Sequence, residues 1–391
     1  MSLLNTTNGM CAFTELIIVI PCYNEPEVLQ TIHSLFDCER GGFGVEIILL
    51  VNSYSISSES VKLLNKTSFQ LAQEFAEKNN SSGFSLIPML VENLPGHQTG
   101  AGLPRRIGME AAVRRFDDNK KGIIVSLDAD TTVDKNYLIE IHRCFKKRKL
   151  RSATIKFHHP VDHLSPDNKI RKATEVYEEY LHYYRTALEY IGYPYSYYTI
   201  GSAFAVTVET YLQVGGMGKQ QAGEDFYFLQ KVFPLGKTQF INTTCVYPAA
   251  RVSDRVPFGT GPAIAKMLNE KSYIQQTYQA AAFGELKLFF DQIASFYQSS
   301  REQIEEMITP FPGYLKDFLK ENDFLEKMEE LNRHTASIDA FKKRFFHYFS
   351  AFRILKYLNS VHPFPFEWMN VSTQFSIISH YLHRNNSVHH K

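Results

Sequence analysis

No two of the five cysteines, Cys11, Cys22, Cys38, Cys144 and Cys245, stand as a C-x-x-C pair. That spacing excludes a cysteine zinc cage and offers no disulfide framework, so a reducing, cytoplasmic setting is expected. Long apolar runs are missing too. The early run Leu16–Ile20 is far shorter than the roughly 20 residues a bilayer crossing takes, and it reads as a strand. The opening MSLLNTTNGM lacks the basic and apolar regions of a signal peptide. Without secretion, the N-x-S/T triplets at Asn65 and Asn242 carry no weight. Charge of one sign is also lacking: 42 Lys and Arg face 41 Asp and Glu, a net +1, so no basic excess exists to bind nucleic acid. There is no internal repeat and no low-complexity tract.

What is plentiful is apolar and aromatic material. Hydrophobic residues make up 44% of 391, with 30 Phe and 22 Tyr, enough for a sizeable core and more than one domain. The first half alternates strand and helix signals. Continuous apolar runs at 15–21, 45–51, 85–91 and 122–128 suit strands buried on both faces. Helical patterns lie between them, after Pro26, near 59–79 and at 105–116, and repeated β-α-β units of this kind predict a mostly parallel sheet flanked by helices. Further on, the sequence predicts a strand at 152–159, a Tyr-rich helix at 168–190, a helix at 223–233 and a strand at 239–247. From about 262 the pattern is helical. We therefore expect an α/β domain over 1–260 and a helical C-terminal extension over 261–391.

Ligands of parallel sheets bind at the carboxyl ends of the strands, and four polar segments fall there. The first is IPCYNEPEVL, where Tyr23, Asn24 and Glu25 follow the first strand. The second is TGAGLPRRIGMEAA, where Gly100 and Gly102 precede Arg105 and Arg106 at a helix start, suited to a diphosphate or a base. The third is SLDADTTVD, where Asp128 and Asp130 stand at i and i+2, on one side of an extended strand end. Paired carboxylates are hard oxygen ligands for Mg²⁺ or Mn²⁺. Asp134 reads as a cap or first-turn residue of the next helix. The fourth is VGGMGKQQAGEDFYFLQKV, where Glu224 and Asp225 open a helix, either complementing its dipole or serving as a base.

In this order, P-x-Y-N-E, then R-x-x-G, then D-x-D, then G-G with E-D, the chain resembles the family 2 glycosyltransferases of the GT-A fold. The likeness spans about residues 14–250. It implies a nucleotide-sugar-dependent transferase that uses Mg²⁺ or Mn²⁺. Pro21, Tyr23 and Glu25 would line the nucleotide pocket, with Glu25 on the ribose or base. Asn52 falls where the family commonly has an Asp contacting the base. Arg105, with Gly108 completing its pattern, matches an arginine beside the donor, although Pro104-Arg105-Arg106 replaces the frequent Ala-Arg-Asn. Asp128 would touch the ribose or the metal, and Asp130 the metal bridging the donor diphosphate, with Ala129 between them counted in the donor site. Asp225 would be the catalytic base and Glu224 its positioning neighbour. Gly201 and Ser202 match a small-residue site near the acceptor. The partners implied are a nucleoside-diphosphate sugar and a saccharide or other hydroxyl acceptor.

Other segments are open to two readings. RVSDRVPFGTG places Arg251, Asp254 and Arg255 in a loop that either closes over donor phosphates, with Arg255 in the donor site, or merely links domains. Tyr193, Tyr195, Tyr197 and Tyr198 are stacking faces for an acceptor sugar or core residues. His158, His159 and His163 form no ligand spacing and read as polar surface. Phe341, Phe345, Tyr348, Phe352 and Leu355 share one helical face beside Lys342, Lys343, Arg344, Arg353 and Lys356. Segment 340–360 is thus a candidate for peripheral contact with the inner face of a membrane, or a packing helix. Two alternatives to a transferase stay open: a sugar-nucleotide nucleotidyltransferase, which needs a glycine-rich phosphate loop that PCYNEP lacks, and a non-catalytic carbohydrate- or partner-binding module.

Overall fold

The computed structural model describes residues 14–117, 121–165, 167–218, 223–252, 260–269 and 276–388. The chain divides into two compact units. The first comprises residues 1–174 and 199–266, the second residues 175–198 and 267–391. The Tyr-rich stretch 175–198 groups with the C-terminal helices.

In chain order the first part contains β1 (Thr14–Cys22), α1 (Val28–Phe36), β2 (Gly44–Tyr54), α2 (Glu59–Asn79), β3 (Phe84–Leu94), α3 (Gly102–Phe116), β4 (Ile123–Ser126), β5 (Thr131–Val133), α4 (Tyr137–Arg148) and β6 (Ser152–Phe157). There follow α5 (Lys169–Tyr190), β7 (Phe204–Thr207), α6 (Val208–Gln213), α7 (Glu224–Val232), β8 (Thr238–Pro248) and α8 (Thr260–Asn269). Eight strands form one sheet in the order β3-β2-β1-β4-β7-β6-β8-β5. Pairings β1–β2, β2–β3, β1–β4 and β6–β8 are parallel, while β4–β7, β6–β7 and β5–β8 are antiparallel. This is the α/β architecture expected, a mostly parallel sheet flanked by helices with a helical C-terminal region.

The continuous apolar runs are buried as their patterning requires: Leu16–Ile20 and Ile47–Val51 have no exposed surface. Within them Glu46 is 2% exposed and is held by a bidentate ion pair with Arg115, at 2.5 and 3.0 Å. Helix α3 lies directly on β1, because Gly108 has no side chain: a Cβ there would come within 2.5 Å of Val19 Cγ1. This close approach accounts for the glycine of the R-x-x-G pattern. Arg105 and Gly108, three residues apart, are both buried, whereas Arg106 pairs with Glu110 at 2.6 Å at the surface.

Three local expectations change. Asp134 is not a helix cap: its carboxylate accepts bonds from the Cys245 N–H and the Tyr247 hydroxyl, both at 2.8 Å, and so fixes β8 beside β5. Helix α4 starts after Asn136 without a side-chain cap. His159, expected at the surface, is 2% exposed, with its ring edge-on to Phe157 at 6.0 Å; His163 is exposed. Asn65, part of a discounted N-x-T triplet, is fully buried. Its amide donates to the Asn52 carbonyl (2.7 Å) and Ser53 Oγ (3.0 Å), and its oxygen accepts from the Asn24 N–H (2.9 Å).

The second unit adds β9 (Gln276–Thr277), α9 (Ala280–Asp291), α10 (Ile293–Phe296), α11 (Arg301–Ile308), α12 (Gly313–Glu321), α13 (Phe324–His334), α14 (Ile338–Tyr348), α15 (Ala351–Ser360), β10 (Met369–Asn370) and α16 (Val371–Val388). Its core is a phenylalanine cluster in which Phe289 lies within 6.1 Å, ring to ring, of Phe296, Phe324, Phe345 and Phe349. The single amphipathic helix expected across 341–356 is broken at Phe349–Ser350, and Phe341 and Phe345 are fully buried in this core. Tyr193 and Tyr198 are also packed inward, Tyr193 accepting the Ala351 N–H at 3.0 Å and Tyr198 bonding His182 Nδ1 at 2.6 Å. They are not free stacking faces. No helix among the described residues is long and apolar enough to cross a membrane.

Candidate active site

Strands β1, β2 and β4 are central, parallel neighbours, so their carboxyl ends bring three sequence-distant segments to one edge. Pro21 lies within β1, opposite Leu50; beyond the strand the chain turns through Tyr23 and Asn24, the latter at φ +51°, and delivers Glu25 into a fully buried position. Asn65 holds this turn against the end of β2. Beyond β4 the segment Leu127–Asp130 is a turn rather than a strand, closed by the Thr131 N–H on the Asp128 carbonyl at 3.2 Å. It is fixed from three sides. Thr31 on α1 donates to the Ala129 carbonyl at 2.8 Å, Ala249 N–H donates to the Asp130 carbonyl at 3.1 Å, and Leu127 N–H donates to the Val19 carbonyl at 3.1 Å. Ala129 is therefore a buried backbone anchor between two half-buried carboxylates.

The backbone turns there, and Asp128 and Asp130 meet different partners. Each is held by a different arginine. Arg105, 2% exposed, donates to Asp128 Oδ1 at 2.5 Å and to Glu224 Oε1. Burial opposes the charge on Arg105, but Asp128, Glu224 and Asp225 together outweigh it and raise its pKa above the ordinary value. The guanidinium needs Gly201 behind it: a Cβ at that position would lie 2.8 Å from Arg105 Nη2. Ser126 Oγ in turn donates to the Gly201 carbonyl at 2.7 Å, and Ser202 is buried alongside. The small-residue site of the sequence thus backs the arginine.

Arg251 is the second arginine. It donates to both oxygens of Glu25, Oε1 at 3.3 Å, and to Asp130 Oδ2 at 2.8 Å. Burial works against its charge, and the carboxylates Glu25 and Asp130 overcome this and raise its pKa. Its side chain is 30% exposed, against 3% for Arg105. Sequence reading placed Arg251 only in a loop; its pairing with Glu25, 226 residues away, had no local signal beyond that arginine-rich segment. Arg255 and Asp254 lie outside the described residues.

Glu224 and Asp225 open α7 behind Gly223, whose φ of +69° is a left-handed conformation that favours glycine. Glu224 is 3% exposed, and burial raises its pKa in spite of Arg105. Asp225 is half-buried and accepts its own helix's Phe226 N–H at 2.7 Å. Burial first, and then the neighbouring Glu224, push its pKa up to about 7.

At the end of β2, Asn52 is fully buried, and neither atom of its amide makes a hydrogen bond. It lies near Tyr54, whose hydroxyl donates to the Gly100 carbonyl at 2.5 Å and whose ring meets Tyr23 edge-on at 5.2 Å. An unbonded buried amide is costly, and a ligand with a facing donor and acceptor relieves that cost. Gly100 sits at φ +119°, which ties the glycine-rich segment to this corner. Tyr23 bonds Ser57 Oγ at 3.3 Å and packs with Leu103 and Ile107 against Leu50 and Leu94.

For a metal, Asp128 and Asp130 supply hard oxygen donors two residues apart. Among the described residues no group of three His, Cys, Asp or Glu converges as a metal cage. The pair fits a cation such as Mg²⁺, which takes one or two carboxylates and completes its shell with phosphate oxygens and water. Arg251 is the cation already seated on Asp130.

No protein-family model matches the chain, and no curated protein matches it in sequence. Among solved structures, Staphylococcus aureus TarS 1–349 in complex with UDP-GlcNAc is similar at 11% identity and a TM-score of 0.42, over 89% of this chain and 90% of that one. The same fragment in complex with UDP is similar at 13% identity and a TM-score of 0.42. A longer TarS structure is similar at 13% identity and 0.41, over 89% of this chain and 55% of that one.

Proposed function

We propose that the chain is a glycosyltransferase that moves a sugar from a nucleoside-diphosphate sugar to an acceptor hydroxyl. The observation that carries this reading is the convergence, at one sheet edge, of Glu25, Asp128, Asp130 and Glu224 through two arginines, beside an unbonded buried amide. Polar segments spread over more than 200 residues meet there in two ion clusters, Arg105 with Asp128 and Glu224, and Arg251 with Glu25 and Asp130. Structural ion pairs alone do not require Asn52 to be buried without partners. Uracil and guanine both present adjacent donor and acceptor atoms that an amide satisfies, and Tyr23 and Tyr54 supply aromatic surface next to it.

Asp225 is the base in this reading. Its pKa near 7 suits removal of a proton from an acceptor hydroxyl at neutral pH. As the acceptor oxygen bonds the anomeric carbon, its proton passes to Asp225, the anomeric C–O bond to phosphate breaks, and the nucleoside diphosphate leaves. A single base acting opposite the leaving group gives inversion. Arg105, buried and committed to Asp128 and Glu224, is a positioning residue: it orients those carboxylates and holds negative charge beside Asp225. A Mg²⁺ or Mn²⁺ held by Asp128 and Asp130 would neutralise the departing diphosphate.

Calorimetry with UDP and GDP, with and without Mn²⁺, tests this reading. Metal-dependent binding of one nucleotide, lost in Asp130→Asn and weakened in Asn52→Ala, is expected. Absence of binding by any nucleoside diphosphate would overturn it.

A further inference from the structure

In the second unit, α13, α14 and α15 form an open pocket of about 570 Å³, a size that takes a small ligand. Its lining is cationic. Lys327, Arg344, Arg353 and Lys356 face one carboxylate, Glu330, a net charge of +3 in a chain whose total is only +1. Glu330 is already bound by Lys327 at 2.6 Å. Arg344 makes no hydrogen bond or ion pair with any described residue, and Lys356 only approaches the Phe352 ring, at 5.3 Å. Arg353 is pre-oriented: its Nη1 donates to the Tyr348 carbonyl at 2.6 Å, and its guanidinium lies over the Tyr348 ring at 3.8 Å.

Two further features point the same way. Ser350 lines the cavity at the N-terminus of the ten-residue helix α15, yet its hydroxyl makes no capping bond. That leaves a hydroxyl donor at the positive end of a helix. Arg353 and Lys356, three apart on α15, are like charges on one helix face, an arrangement that destabilises a helix unless an anion lies between them. Salt-bridge partners for such residues are ordinarily acids at i±3 or i±4, and α15 has none.

We propose that this cavity is a binding site for a phosphate group, carried either by a soluble phosphate compound or by a lipid headgroup. A net +3 matches a phosphate dianion or diphosphate better than a single carboxylate, and guanidinium forks with a hydroxyl suit its oxygens. The site belongs wholly to the helical unit and does not rest on the reading of Asp128, Asp130 and Asp225. It also gives the basic stretch 340–360 a second reading: Phe341 and Phe345 are spent on the core, and the cations line a concave pocket with Tyr348 and Phe352.

The test is a titration of the full-length protein with inorganic phosphate, followed by backbone amide NMR shifts of residues 350–356. Saturable shifts are expected, with affinity weakened roughly tenfold or more in Arg344→Gln/Lys356→Gln and Tm unchanged. Asp128→Asn, in the other unit, is expected to leave them intact. Absent shifts, or shifts that the double variant leaves alone, overturn the proposal. Co-sedimentation with phosphatidylcholine vesicles, with and without phosphatidylglycerol, identifies the source. Anion-dependent sedimentation lost in the double variant assigns a lipid headgroup, and phosphate shifts without sedimentation assign a soluble phosphate.

Discussion

Arg105 and Arg251 do the same thing in two different environments. Each bridges a carboxylate of the Asp128–Asp130 turn to a buried glutamate from another element, Glu224 or Glu25. Arg105 comes from the regular helix α3, is enclosed, and has Gly201 as its back wall. Arg251 follows β8, adjoins residues outside the described set, and is nearly one-third exposed. Water reaches the guanidinium of the second cluster, but in the first it reaches only Asp128. The buried arginine is therefore fixed, and the exposed one is more easily displaced from Asp130, although it also holds the fully buried Glu25.

Arg105→Gln is the most severe way to break the comparison. It leaves the buried Glu224 without a cation, and the expected loss is about 3–5 kcal/mol of unfolding free energy, read by urea denaturation. A loss as small as that of the Arg251 variant would mean the two clusters are equivalent.

Asp225→Asn sharpens the division between structure and chemistry. Its turnover is expected to fall roughly 10²–10⁴-fold with nucleotide affinity retained, measured by product formation and calorimetry. In the unsubstituted chain kcat/KM should rise with pH through about 7, because the base must be ionised. The stability consequence has the opposite sign. The folded pKa lies above the ordinary 3.8, so the folded state holds the proton more tightly, and this group's contribution to stability is lost as pH rises from about 4 through about 7. Asp225→Asn removes that loss, so its Tm relative to the parent should increase with pH across that window.

Gly201→Ala drives a methyl against Arg105 Nη2, at a cost of about 1–3 kcal/mol. The same substitution at an unrelated exposed glycine such as Gly42, which has nothing within 4 Å, is the control. Arg251→Gln leaves the fully buried Glu25 without that cation, so the expected loss is about 1–3 kcal/mol, short of the Arg105 variant because Arg251 is 30% exposed and Glu25 also accepts the Glu27 N–H at 3.0 Å. By vacating Asp130 it is expected to tighten Mn²⁺ binding, measured by the EPR signal of free Mn²⁺. Unchanged or weaker metal binding would show that Arg251 does not compete for that carboxylate.

Much of the first unit was legible locally. The apolar runs predicted β1 to β4 because strands buried on both faces need little else, and α2 fell on the expected residues because its ends carry ordinary signals, Ser58 capping Val61 among them. The spacing of Asp128 and Asp130 was legible, but not their separation onto two arginines. That depends on a turn held by Thr31 and Ala249, residues about 100 positions away. Asp134 likewise looked like a cap until β8 claimed its carboxylate, and of the aromatic face of 341–355 the phenylalanine core takes Phe341 and Phe345 while Phe352 stays 42% exposed.

By itself, then, the sequence determined the alternation of strands and helices and the strand ends at which polar residues collect. These follow from periodicity and backbone sterics over a few residues. Only the tertiary structure decided that Arg251 reaches Glu25 and Asp130, that Gly201 backs Arg105, that Asn52 is buried without a partner, and that scattered cations of three helices line one open pocket. Those are long-range contacts, and burial and charge take their energies from neighbours that no local pattern encodes.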